Sequence, residues 1–305
     1  MLNRFFAFLF LAVFFAACSQ NNVTEDSSLK KYFDSAAVSG SFGLFDNGQG
    51  HFTIYNLPRF RDSAYLPAAT FDMLQSLIGV QTGLVKDDSA LIATAPLRAV
   101  RLTRDLSDSV MVAANKGLVR TDSAQLLSSQ LPANIRICDA PLITLQLAFQ
   151  YSCENAFGQL ALRIGRDTLK KWIDSLGYGN KNIGGPIDSF WLNNHLKITS
   201  DEQLGLVKKL YFDQLPFFQH TQVVVRRMMQ RESNANYQLC YKTALGVKED
   251  GHAIGWILGW IEENKHPYFF VLNLESGGPN LDINGGGINV LKGILKQMEF
   301  FQGKK

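Results

Sequence analysis

The feature that most limits the folds open to this chain is where its strand-like segments lie. Near the C-terminus three runs, Tyr237 to Thr243, Ala253 to Ile261 and Tyr268 to Leu274, are rich in the β-branched and aromatic residues that suit a pleated, half-buried surface. Near the N-terminus, Ser41 to Asp46 and His51 to Tyr55 flank the turn sequence Asn47-Gly48-Gln49-Gly50 and predict a hairpin. Between these ends the periodicity is helical. Phe71, Leu74, Leu77 and Ile78 recur at helical spacing after Pro67. Leu142 to Ile164 reads as one helix, and Thr168 to Leu176 as another with Asp167 as N-cap and Gly177 as stop. Thr199 and Glu202 have capping-box spacing before a further helix, and Asn289 to Phe301 predicts a terminal one. Leu84 to Ala133 is mixed and polar and supports no assignment, and no internal repeat appears. Strands at both ends with helices between them predict an α+β fold, one antiparallel sheet covered by helices.

The chain has 305 residues, 46% hydrophobic and 19% charged, which is ordinary globular composition. Its net charge of +3 is spread along the chain, so no nucleic-acid footprint is indicated. No apolar run after the N-terminus is long enough to span a bilayer. The N-terminus itself reads as a targeting segment: Arg4, an apolar run from Phe5 to Ala17, then Cys18. Phe15-Ala16-Ala17-Cys18 resembles the bacterial lipobox, which implies a signal peptide over 1–17 and a lipidated Cys18; plain cleavage with Cys18 incidental is the alternative. Residues 18–30 are polar and read as a flexible tether, and 31–305 as the folded domain. The expected location is the bacterial cell envelope, periplasmic or outer-leaflet, held to the membrane by a lipid anchor.

Beyond Cys18 there are Cys138, Cys153 and Cys240, which permit one disulfide and one leftover thiol in three pairings. The preferred reading is buried, unpaired cysteines acting as small apolar residues. The histidines, His51, His195, His220, His252 and His266, show no metal spacing, and neither metal nor cofactor is called for. Gly285-Gly286-Gly287 lacks the context of a phosphate loop and reads as a flexible turn.

Several segments are more specific. Tyr55-Asn56 and Arg59 precede Tyr65-Leu66-Pro67-Ala68-Ala69-Thr70-Phe71-Asp72, with Thr82-Gly83 beyond. Ser152-Cys153-Glu154 follows, then Tyr178-Gly179-Asn180 with Ile183, Gly185, Asp188 and Phe190-Trp191-Leu192. Lys242-Thr243-Ala244 comes next, then Gly255-Trp256-Ile-Leu-Gly259-Trp260 and Tyr268-Phe269-Phe270. In this order they resemble the class D serine β-lactamases and the related penicillin-binding sensor domains, from about Ser41 to the terminal helix. The resemblance implies a β-lactamase/transpeptidase-like fold with a helical subdomain at about 66–200. It does not fix activity, because one fold carries many functions.

The departures from the pattern fall on its chemistry. The resemblance implies a serine nucleophile and, one helical turn later, a lysine base; these places hold Ala69 and Asp72. An i, i+3 spacing puts both on one helix face, and a hydroxyl needs such a base to attack. Ala69 has no attacking atom and Asp72 has no amine. Ser152 matches a second serine that relays protons; its promotion to nucleophile would need a new base. Glu154 stands where an apolar residue facing the pocket is expected, so Asp72 and Glu154 together form a candidate acid pair. Against this, Asp72 suits a helix's first turn, and either acid could hold Lys242. Lys242 and Thr243, implied ligands of a substrate carboxylate, remain, whereas Ala244 replaces a glycine and no arginine lies between Gly277 and Lys292. Trp191 matches a tryptophan that supports the lost lysine and is read as a packing residue.

The primary expectation is therefore a pseudoenzyme that binds a peptidoglycan stem peptide or β-lactam-like ligand non-covalently. A hydrolase using Asp72 and Glu154, or a purely structural envelope protein, are the alternatives. The segment 86–140 is longer than the family pattern and is either a rim element for a protein partner or an inert insertion.

Overall fold

A computed structural model describes residues 22–95 and 137–304 of the chain. The expected signal peptide, Cys18 and most of the 86–140 segment lie outside the described residues.

In chain order the elements are strand β1 (Val23–Glu25), helix α1 (Lys30–Ser35), β2 (Ser39–Asp46), β3 (His51–Tyr55), α2 (Leu57–Asp62) and β4 (Ala64–Tyr65). A 3-10 turn (Ala68–Phe71) leads into α3 (Asp72–Gln81), and β5 (Leu91–Ala93) follows. Then come β6 (Leu142–Thr144), α4 (Leu145–Tyr151), α5 (Glu154–Ile164), α6 (Arg166–Leu176), β7 (Ile198–Thr199), α7 (Ser200–Tyr211) and α8 (Gln219–Met229). The chain closes with β8 (Gln230–Ser233), β9 (Gln238–Val247), β10 (Ala253–Glu263), β11 (His266–Glu275), a π-helical turn (Ile283–Gly287) and α9 (Ile288–Gln297).

The fold is α+β, built on a seven-stranded sheet of order β1-β3-β2-β11-β10-β9-β8. Its pairings are antiparallel except that β1 runs parallel to β3, which makes the sheet mixed rather than purely antiparallel. That strand corrects the expected tether. Val23 to Glu25 pair with Phe52 to Ile54, and Leu29 is fully buried, so the polar segment is folded from residue 22 onward. Polar residues suffice there because an edge strand is stabilised by backbone pairing rather than by its side chains.

Both sheet faces are covered, which explains the nearly continuous apolar runs of β10 and β11. Side chains alternate across a strand. Ile254, Trp256, Leu258 and Trp260 of β10 face the large helical layer, whereas Ile257 and Ile261 face α1 and α9. The same alternation on β9 sends Cys240 and Ala244 toward the helical layer and Leu239 and Tyr241 away from it. Lys242 therefore points into the helical layer, and its side chain is fully buried. The helices between the strands extend to Met229, beyond the expected boundary near 200.

The predicted helix over 142–164 is two helices. Thr144 caps α4 by accepting from the Leu147 N–H at 3.2 Å, and Ser152 closes it in the left-handed region (φ 54°) before α5 begins. Apolar periodicity continues across this break, because both helices bury the same side. Helix α6 starts earlier than expected: Gly165 (φ 85°) ends α5 and precedes Arg166, so Asp167 lies inside the first turn. The Thr199–Glu202 capping box forms as expected.

Candidate functional site

The site lies where the start of α3, the α4–α5 break and strand β9 meet. Ala69 sits in the 3-10 turn, 5% exposed, with Ala68 before it at φ 47°. A side chain in that region is strained, and strain of this kind gathers at functional sites. The Ala68 N–H is held by the Trp191 carbonyl at 3.1 Å, while the Trp191 ring stacks on Phe71 with centroids 5.6 Å apart. Trp191 packs as expected.

Asp72 opens α3 on the same face as Ala69 and is buried. The ammonium of Lys242 approaches Asp72 Oδ2 at 2.9 Å, a charge contact rather than a well-directed hydrogen bond. It also donates to the Ser152 hydroxyl at 2.7 Å and to the Phe149 carbonyl at 2.5 Å, and lies 4.6 Å from the Phe149 ring centre. An ammonium has three hydrogens, and three oxygens surround this one. Burial pushes the Asp72 carboxyl up to about 7, with Lys242 pulling the other way. Burial likewise pushes Lys242 down to about 8, against the pull of Asp72.

Ser152 is half-buried, and its hydroxyl donates to the Thr243 carbonyl at 3.2 Å while accepting from Lys242. The Thr243 hydroxyl donates to Asn284 Oδ1 at 3.1 Å. Ala244 is buried on β9 beside them. Thus the structure gathers Ala69, Asp72, Ser152, Lys242, Thr243 and Ala244. It does not gather Glu154. That residue is exposed at the first position of α5, and no hydrogen bond or ion pair joins it to Asp72, which feels it only as a minor charge. The left-handed turn at Ser152 rotates the following helix so that Glu154 faces solvent. The candidate acid pair therefore does not form, and Asp72 instead holds Lys242.

Sequence reasoning missed three features. The Phe149 carbonyl has no side-chain signal. Asn284 directly precedes the Gly285–Gly287 segment read as a flexible turn; that turn is ordered, with Asp282 accepting from the Gly285 and Gly286 N–H groups at 2.9 and 2.8 Å. The third is a disulfide between Cys138 and Cys153, against the unpaired reading. The returning end of the long segment runs beside the start of α5 and brings the two Cα atoms to 5.2 Å, within bridging range. Cys240 is free and buried, its thiol pushed up to about 12 by burial.

The family model for the penicillin-binding protein transpeptidase domain matches residues 111–297, more than half of the chain. The chain belongs to the penicillin-binding transpeptidase family, as a class D serine β-lactamase-like member. The β-lactamase OXA-48 of Klebsiella pneumoniae is 30% identical over 274 residues, 90% of this chain and 88% of that protein. The β-lactamase OXA-5 of Pseudomonas aeruginosa is 27% identical over 88% of each chain. Among solved structures, the class D β-lactamase YbXI from Nostoc superposes with TM-score 0.71 at 28% identity, covering 90% of this chain and 99% of its own. The C-terminal domain of the Bacillus licheniformis BlaR penicillin receptor superposes with TM-score 0.73 at 21% identity, over 93% of this chain and all of its own, which speaks to the fold.

Proposed function

We propose that this class D-like domain is a non-hydrolytic binding member of its family. It is carried on an envelope lipoprotein anchored through Cys18, and it holds a peptidoglycan stem peptide or β-lactam-like ligand without a covalent step. One observation carries the reading: where a nucleophile and its base are needed, the chain presents the methyl of Ala69 and a carboxylate already paired with Lys242. Loss of the nucleophile alone costs on the order of 10⁶ in rate in the best-studied serine hydrolase.

Ser152 does not replace it. Lys242, the one amine in reach among the described residues, donates to Ser152, and the Ser152 proton is directed at the Thr243 carbonyl. A base must accept that proton, and Asp72 pulls Lys242 toward its protonated form against the effect of burial. The test is intact-protein mass spectrometry after prolonged exposure to benzylpenicillin. The expected result is an unchanged mass. A penicilloyl adduct mapped to any residue of the site would overturn the proposal.

A further inference from the structure

A cavity of about 280 Å³ lies away from the Ala69–Lys242 cluster, where the end of α6, the middle of α7 and the 214–216 loop meet. Leu176, Ile198, Leu206 and Leu215 supply its apolar lining. Tyr178 stands in its wall, and the same ring meets Phe71 edge-on with centroids 5.5 Å apart. Along α7 the wall carries Glu202, Gly205 and Lys209. An i, i+7 spacing puts both charged residues on one helix face, with an axial rise of about 10 Å between them.

The two ends of the cavity differ in sign. Glu202 is at one end, where its Oε2 accepts from the Thr199 N–H at 2.9 Å in the capping box and its Oε1 remains for another donor. Helix α6 stops beside it: Gly177 is its C-cap, and three residues on the Asn180 N–H meets the Lys197 carbonyl at 2.9 Å. A helix C-terminus adds partial negative charge there. Lys209 is at the other end, its carbonyl accepting from the Gln214 N–H at 2.8 Å. Gly205 lies between them. Glycine inside a helix is less stable than alanine, so it calls for a reason. Packing supplies none. A Cβ at Gly43 would strike Phe60 and one at Gly259 the Cys240 carbonyl, whereas a Cβ at Gly205 would meet nothing within 4 Å, and the backbone there is ordinary helix. What the missing side chain does leave open is the cavity, between its two charged ends.

We propose that this cavity is a second binding site and that it takes a short zwitterion, a dipeptide with free termini and apolar side chains. Its ammonium lies at Glu202 and the α6 end, its carboxylate at Lys209, and its side chains against the leucines and Ile198. An extended residue spans about 3.3–3.6 Å, so a dipeptide separates its charges by about 7 Å, and the Glu202 and Lys209 side chains close the remaining distance. The charges of a single amino acid sit too close together to reach both. This site stands or falls independently of the reading given for the Ala69–Lys242 cluster.

Calorimetric titration of the full chain with alanyl-leucine, N-acetyl-alanyl-leucine and alanyl-leucinamide tests this. The unblocked dipeptide is expected to bind with a Kd on the order of 1 mM or tighter, and each blocked form about tenfold more weakly, the equivalent of one charge-assisted hydrogen bond. Glu202→Gln keeps a capping-box residue, so it should fold, and it should erase the penalty for acetylation alone. Lys209→Met should erase the penalty for amidation alone. Gly205→Leu should abolish binding of the unblocked dipeptide. Gly205→Ala should melt above the native chain, because nothing but the open cavity calls for glycine there. No saturable binding of the unblocked dipeptide overturns the proposal. So do equal binding of all three probes, undiminished binding to Gly205→Leu, and a Gly205→Ala variant that melts below the native chain.

Discussion

Lys242 on β9 and Glu275 at the end of β11 each hold a charge on the central sheet, in very different company. Lys242 and Asp72 are 0% and 2% exposed, one cation against one anion, with neutral oxygens filling the rest of the shell. Glu275 lies between two cations, Arg59 at 2.8 Å and Lys248 at 2.5 Å, with side chains 13–20% exposed. Arg59 also donates to Asn273 and lies 4.6 Å from the Tyr65 ring, and Lys248 reaches Asp250 at 2.7 Å. Asp250, His252 and Glu275 come close enough to suggest a metal site, but their charge is already answered by Arg59 and Lys248. The difference lies in dehydration. A dry pair loses water around both ions and regains only their mutual attraction, whereas a partly wet network keeps hydration and gains several partners.

The largest effect should come from splitting the dry pair. Asp72→Ala or Lys242→Met alone leaves an uncompensated buried charge and should cost about 3–5 kcal/mol in urea unfolding. Asp72→Leu with Lys242→Met removes both charges and should be neutral or stabilising by about 1–4 kcal/mol. A double variant as unstable as the singles would show that the pair is held by more than charge.

Next in size is the covalent clamp beside that pair. Cys153 follows Ser152, a ligand of the ammonium, and its bond to Cys138 closes a loop of 15 residues. A loop of that length stabilises by about 3 kcal/mol in the chain-entropy account. Dithiothreitol should lower the unfolding midpoint of the native chain to that of Cys138→Ser and leave the variant unmoved. A variant that responds equally to the reductant would place the effect elsewhere.

How much of this was legible in advance differs between the same two regions. The sheet was readable because its signals are local. The hairpin turn, the three long β-branched runs and the Thr199–Glu202 cap each depend on neighbours in sequence, and His51–Tyr55 forms over the predicted residues. The motifs also placed Ala69, Asp72, Ser152, Lys242 and Thr243 together. What failed depended on tertiary contacts. The helix break at Ser152 is set by bonds to β9, residues some 90 positions away. That break turned Glu154 outward and brought Cys153 to Cys138. β1 was hidden because its pairing partner, the backbone of β3, leaves no side-chain pattern.

The acids of the two centres should respond to pH with opposite sign. Asp72 is raised to about 7 by burial, so between about pH 4 and 7 the folded chain holds a proton that the unfolded chain has released. Its contribution to stability therefore falls as pH rises through that window. Lys242 is lowered to about 8 by burial, so from about pH 8 to 10.5 the unfolded chain holds the extra proton and stability rises with pH. Relative to the Asp72→Leu/Lys242→Met double variant, the native chain should be at its weakest near pH 7–8. A native advantage that peaks there would overturn the burial account.

The smallest expected effect belongs to the wetter centre and is the control for the other. The cations beside Glu275 hold its carboxyl below its ordinary value despite partial burial. Its contribution is therefore present above the unfolded pKa near 4.5 and disappears as pH falls through the lower folded value, opposite in direction to Asp72. Glu275→Gln keeps an acceptor for Arg59 and leaves Lys248 with Asp250, so the loss at neutral pH should be only about 1–2 kcal/mol. Added salt should shrink that loss, because these groups remain within reach of counter-ions, while the cost of Asp72→Ala should not move. If Glu275→Gln proves as costly as Asp72→Ala and insensitive to salt, hydration does not separate the two centres, and the number of partners would have to account for both.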